Sequence, residues 1–146
     1  MTFNLPLYAA ALGAFLLALQ IGLMVSVGIA RFRSGVNIGD GDDPALQRVI
    51  RRHANLAENA GLFLVAIALL EILAGQTTLV LVLVVGFAAA RIFHAASFLS
   101  LSGSHLVDVN GSQRVFPALR AAGAGLTALS GVSIVLALTW SVANRI

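Results

Sequence analysis

Between Leu5 and Ala30 the chain carries no charged side chain. At about 1.5 Å per residue, a helix over that stretch exceeds the roughly 30 Å hydrocarbon core of a bilayer. Three more apolar stretches follow: Ala60–Leu70 behind a polar start, Leu79–Leu99 interrupted by Arg91 and His94, and Ala121–Ala143. Only 10% of the residues are charged, whereas soluble domains carry about 25%. An ordinary soluble globule and a disordered tail are both excluded. The chain has no cysteine, so it has no disulfide and no thiolate of its own, and any reactive sulfur must arrive on a ligand.

The pattern predicts an all-α integral membrane protein. One domain over residues 1–146 would hold helices at 5–31, 45–74, 78–100 and 114–143, arranged as a four-transmembrane-helix up-and-down bundle. A cleaved signal peptide would have a shorter apolar core and a basic start, so the first helix is expected to be retained, ending at Arg31 and Arg33. Gly35, Gly39 and Gly41 break the helix in the first loop, and Pro44 suits the first turn of the next helix. The short Gly75–Thr78 turn makes helices two and three antiparallel neighbours. Helix four has small residues at Ala121 and Gly125, a spacing that lets membrane helices approach closely. Trp140 suits the interfacial belt. Glu71, near the far end of helix two, reads as a solvated or snorkelling end residue.

All nine basic residues are Arg. Arg31, Arg33, Arg48, Arg51, Arg52, Arg114 and Arg120 flank the first and third loops, and Arg145 lies at the other side. The positive-inside rule then puts loops one and three in the cytoplasm, with both termini opposite. A bacterial inner membrane is the expected location. Charges that punctuate apolar runs do not make a nucleic-acid-binding face.

Charges within a span are costly and mark function. Glu58 lies about 15 Å inward of Arg48, and Arg91 about 12 Å inward of the cytoplasmic end of helix three. This matched depth predicts that Glu58 and Arg91 pair or share a ligand. Arg48, Arg51, Asn55 and Glu58 fall within about 80° of one another on helix two, and His53 lies off that stripe. His94 sits one turn from Arg91 on the same face. Arg114 adds a cation near the mouth. Such a set suits a small, multiply charged anion bearing one amine, its carboxylates on Arg and its amine on Glu58. The alternative is that these groups only pair with each other. The three histidines lie on separate segments without metal-ligand spacing, which argues against a metal. No nucleophile-elbow pattern supports a catalytic triad. Asp40-Gly41-Asp42 opens like a calcium loop but lacks the downstream Glu, and reads as a turn. His105 and Asp108 receive no role.

Gly39-Asp40-Gly41, the run Leu46-Gln47-Arg48-Val49-Ile50-Arg51-Arg52-His53-Ala54-Asn55 with Glu58, and Arg91-Ile92-Phe93-His94 resemble the signatures of the MAPEG family, membrane-associated proteins in eicosanoid and glutathione metabolism. The resemblance spans roughly residues 5–142. It implies a homotrimer that binds glutathione as co-substrate at subunit interfaces on the cytoplasmic side. It makes Arg31, Arg48, Arg51, Asn55, Glu58, Arg91 and His94 glutathione-binding residues, and Arg114 the catalytic residue that holds the thiolate. The implied partners are a second and third copy of the chain, membrane lipids and a lipophilic small-molecule substrate. The sequence departs from the family at Asn59-Ala60, where Tyr and Pro are frequent, and at Phe98, where several enzymes have Tyr.

Three functions compete. The first is a glutathione-dependent membrane transferase or peroxidase acting on lipophilic electrophiles. The second is a non-catalytic lipid- or glutathione-binding protein of the same fold. The third is a small multidrug transporter, which commonly needs a carboxylate in helix one, where this chain has none.

Overall fold

The computed structural model describes residues 4–99 and 115–144. They form four helices: α1 (Leu7–Ser34), α2 (Pro44–Ala74), α3 (Thr78–Ala96) and α4 (Val115–Ala143). Each is long and apolar enough to cross a membrane. Arg114, Arg145, His105 and Asp108 lie outside the described residues.

Local chemistry sets the ends. α1 runs past Arg31 and Arg33 to Ser34, and stops where Gly35 adopts φ 69°, a conformation open to glycine at little steric cost. Asp43 caps α2 by accepting from the Ala45 N–H at 2.8 Å, with Pro44 in the first turn. Thr77 caps α3, accepting from Val80 N–H at 3.3 Å. α3 ends a turn earlier than the apolar pattern predicts, because Ser97 caps it and donates to the His94 carbonyl at 2.7 Å.

The contacts make the bundle up-and-down. Gln20 meets His53 while Tyr8 meets Glu71, so α1 and α2 run antiparallel. Asn55 meets Arg91 while Phe63 stacks on Phe87 at 4.3 Å, so α2 and α3 do too. Gly123 lies on Ala90 and His94, and Ser130 lies near Gly86, which orients α4 against α3. α1 packs chiefly on α2 and α4 chiefly on α3, while α1 and α4 do not meet among the described residues. Leu12, Leu16, Ile67, Leu70, Leu83 and Phe87 fill the interior. Leu17, Leu62, Val82, Leu136 and Trp140 are exposed, as expected of side chains that meet lipid or another copy.

Glu71 corrects the sequence reading. It is completely buried. Its Oε1 accepts from the Tyr8 N–H at 2.9 Å and its Oε2 from the Ala9 N–H at 2.8 Å. Pro6, at the α1 N-cap, has no side-chain acceptor to offer. The first N–H groups of a helix have no partner within it and carry the positive end of the helix dipole. Away from water those donors must be satisfied internally, and the carboxylate of a neighbouring helix does so. Asn4 donates to the Ile72 carbonyl and Gln76 to the Leu5 carbonyl, each at 3.2 Å, closing this end of the bundle.

Candidate functional site

At the opposite end, α2, α3 and α4 leave a cavity of about 460 Å³. Arg48, Arg51 and Asn55 form its α2 wall, with Pro44 and Gln47 at the rim. His94 and Phe98 form the α3 side, and Arg120 closes it from α4. The His94 and Phe98 rings stack with centroids 5.6 Å apart, and the Arg120 Cζ stands 4.5 Å over the Phe98 ring. This α3–α4 wall is therefore a layered imidazole, phenyl and guanidinium. The Arg48 Nε is buried and without a partner among the described residues.

Arg91 lies behind this wall. It is 2% exposed. Its Nη1 donates to Asn55 Oδ1 at 3.0 Å, and its Nη2 donates to Thr127 Oγ1. Its Cζ sits 5.1 Å from the centroid of the Phe87 ring. The expected Glu58–Arg91 pair is not formed. Glu58 instead lies 3.9 Å from Arg51, both side chains more than half exposed. Helical geometry explains the correction. Arg51 and Glu58 are seven residues apart, so they fall within about 20° of each other on the outer edge of the stripe. Arg48 and Asn55 are rotated about 40–60° inward from Arg51. Depth matched Glu58 to Arg91, but azimuth gave Arg91 to Asn55.

Arg31 does not line this cavity within one chain. Its Nη1 lies 3.4, 3.2 and 2.8 Å from the carbonyls of Val36, Asn37 and Gly39, so the first loop is wrapped around it. Asp40 and Asp42 form a turn there, with the Asp42 N–H donating to Asp40 Oδ1 at 3.2 Å. His53 faces α1, with its Nε2 2.7 Å from Gln20 Nε2. Beside it Arg52 donates to Ser26 Oγ at 3.1 Å. The cavity thus gathers Arg48, Arg51, Asn55 and His94. Glu58 stands at its outer rim through Arg51, Arg91 is behind it, Arg31 is apart, and Arg114 is outside the described residues.

Sequence reasoning missed Arg120, which was counted only as a topogenic charge, and Thr127. A signal was available: Arg120, Gly123 and Thr127 are spaced by three and four, so they share one face of α4. That face meets α3.

A family model matches residues 8–140 of the chain. The chain belongs to the MAPEG family. As a MAPEG protein it is an integral membrane protein, associated with glutathione- or eicosanoid-related function. No curated protein and no solved structure matches the chain. Of the residues that the resemblance connects with glutathione, Arg48, Arg51, Asn55 and His94 line one cavity, and Arg31, Glu58 and Arg91 do not.

Proposed function

We propose that the protein is a glutathione-dependent membrane transferase or peroxidase for lipophilic electrophiles. One observation carries this reading: Arg48, Arg51 and Arg120 line a single cavity with Asn55 and His94, and Glu58 stands beside it. Cations exceed carboxylates there, which suits a ligand with two carboxylates and one ammonium. Guanidinium groups bind carboxylates through charge-assisted, often bidentate hydrogen bonds. The ammonium would meet Glu58. A free thiol has a pKa of about 8.5, and lowering it by two units takes about 2.7 kcal/mol of preference for the thiolate. A nearby guanidinium in a partly dehydrated cavity supplies that order of energy. We assign this role to Arg114, which opens the segment leading into α4. The protein then needs no nucleophile of its own, since the sulfur comes with glutathione.

A homotrimer belongs to the same proposal. Arg51 and Glu58 are left uncovered by their own chain, and a second copy would enclose them. The lipophilic substrate would enter from the lipid side. An apolar groove of about 300 Å³ between α1 and α2, walled by Gly13, Leu17, Gly61 and Leu64, is open to such a molecule. The cationic end is assigned to the cytoplasmic side of a bacterial inner membrane.

A second reading, a non-catalytic lipid- or glutathione-binding protein, is favoured by one feature. The cavity wall has Phe98 and no tyrosine, and the chain's single tyrosine, Tyr8, lies at the other end of the bundle. Titration of purified protein with glutathione, followed by thiolate absorbance and by calorimetry, separates the two. Thiolate formed at neutral pH on binding supports the enzyme, and its loss in Arg114→Ala supports the assigned role. Binding without thiolate supports the second reading, and no binding removes both glutathione readings. A detergent-corrected mass of one or two copies would contradict the trimer.

A further inference from the structure

Arg91 does not border the cavity, yet it touches a residue that does. A guanidinium only donates hydrogen bonds. The Asn55 amide must therefore turn Oδ1 toward Arg91 Nη1, 3.0 Å away. Its Nδ2 lies on the other edge of the planar amide, and Asn55 is a wall residue of the cavity. The edge left for a ligand is the donating one.

The same logic fixes the other end of the chain of bonds. Thr127 has one hydroxyl proton, and it goes to the Gly123 carbonyl at 2.7 Å. The Thr127 oxygen is then free to accept from Arg91 Nη2. Gly123 sets the geometry, because a Cβ there would stand 3.0 Å from both the Ala90 oxygen and the His94 nitrogen. The α4 backbone consequently rests directly on α3, and Thr127, one turn along, is pressed against Arg91. Three helices thus act in series on one amide.

We propose that Thr127 and Arg91 are positioning residues that lock Asn55 as a hydrogen-bond donor, so that this wall of the cavity selects a carboxylate or carbonyl oxygen of the ligand. The inference rests on the glutathione reading of the cavity. With the amide reversed, the same asparagine would accept from an ammonium. Locked as it is, it joins Arg48, Arg51 and Arg120 in a wall of donors. The ligand then lies with an acceptor oxygen toward Asn55 and its ammonium toward Glu58.

The test uses the full-length protein in detergent, with glutathione binding measured by calorimetry and the Asn55 side-chain amide followed by nitrogen-15 NMR, assigned by its loss in Asn55→Asp. Thr127→Val removes the hydroxyl at nearly constant volume. It should weaken glutathione about tenfold, the size of one hydrogen bond to a charged group, and shift the Asn55 amide signals, while Thr127→Ser restores both. Asn55→Asp keeps an acceptor for Arg91 but presents a carboxylate to the ligand. It should leave the melting temperature at or above wild type and lower glutathione affinity more than tenfold. If Thr127→Val does not fold, Asn55→Asp decides. Wild-type affinity in Asn55→Asp, or in a folded Thr127→Val whose Asn55 signals are unmoved, overturns the proposal. Should wild-type protein not bind glutathione, the functional reading falls by itself. The Asn55 signals then still decide the lock: shifted by Thr127→Val it stands, unmoved it is overturned.

Discussion

The two ends of the bundle treat buried charge in opposite ways. At the Glu71 end a carboxylate is completely enclosed, and both of its oxygens are taken by backbone N–H groups of α1. At the other end the guanidiniums of Arg48, Arg51 and Arg120 surround an open cavity, with the carboxylate of Glu58 displaced to the rim. The first arrangement is complete without a ligand. The second leaves the Arg48 Nε without a partner among the described residues and Arg51 in a long, exposed pair with Glu58. A charge inside a membrane bundle is therefore no uniform signal. What separates the two ends is how completely the chain itself encloses the charge.

The contrast yields graded predictions. The largest effect is expected at Glu71. Glu71→Ala leaves the buried Ala9 N–H and the part-buried Tyr8 N–H without acceptors and should cost about 3 kcal/mol of stability, read by unfolding in detergent. The glutathione affinity of the folded fraction should not change. Affinity that falls together with stability would show that the two ends are coupled. Gly123→Ala comes next. A methyl group pressed on the α3 backbone should cost about 2 kcal/mol and, by moving Thr127, should weaken glutathione as well. Retained stability would mean that α4 withdraws from α3 without penalty.

Arg51→Ala should leave unfolding within about 0.5 kcal/mol of wild type, as exposed ion pairs do. It should nonetheless reduce glutathione affinity roughly tenfold, by removing a charged donor. The reverse pattern, stability lost and affinity kept, would place the cationic end in the same structural class as Glu71. The smallest effect is expected for Arg31→Ala. Its three carbonyl contacts tie the first loop, so stability should move by less than about 1 kcal/mol, with affinity near wild type. A tenfold loss of affinity would bring Arg31 into the binding site.

The four spans were legible in the sequence because length and hydropathy suffice to specify a membrane helix. The α2 wall of the cavity, Arg48, Arg51 and Asn55, was legible because the helical repeat alone sets their common face. The sequence could not assign partners. Glu58 and Arg91 agree in depth, and depth follows from residue count along a helix. Which pair meets depends on rotation about each helix axis, and that rotation is decided by packing. Gly123 resting on the backbone at Ala90 and His94 turns Thr127 toward Arg91, and the stack of Phe63 on Phe87 sets α2 against α3. Arg91 accordingly meets Asn55, and Glu58 is left on the outer edge.

Glu71 marks the same boundary from the other side. A carboxylate near the end of an apolar helix reads as solvated when α2 is considered alone. It becomes a cap only when α1 arrives beside it with a proline at its N-cap and unpartnered N–H groups behind. The sequence by itself determined that this chain crosses a membrane four times and carries its excess cations at one end. Only the tertiary structure decided which charges are enclosed by partners within the chain and which line an open cavity. Hydrogen-bond partners are set by the rotation and approach of helices, and neither is encoded in the periodicity of a single one.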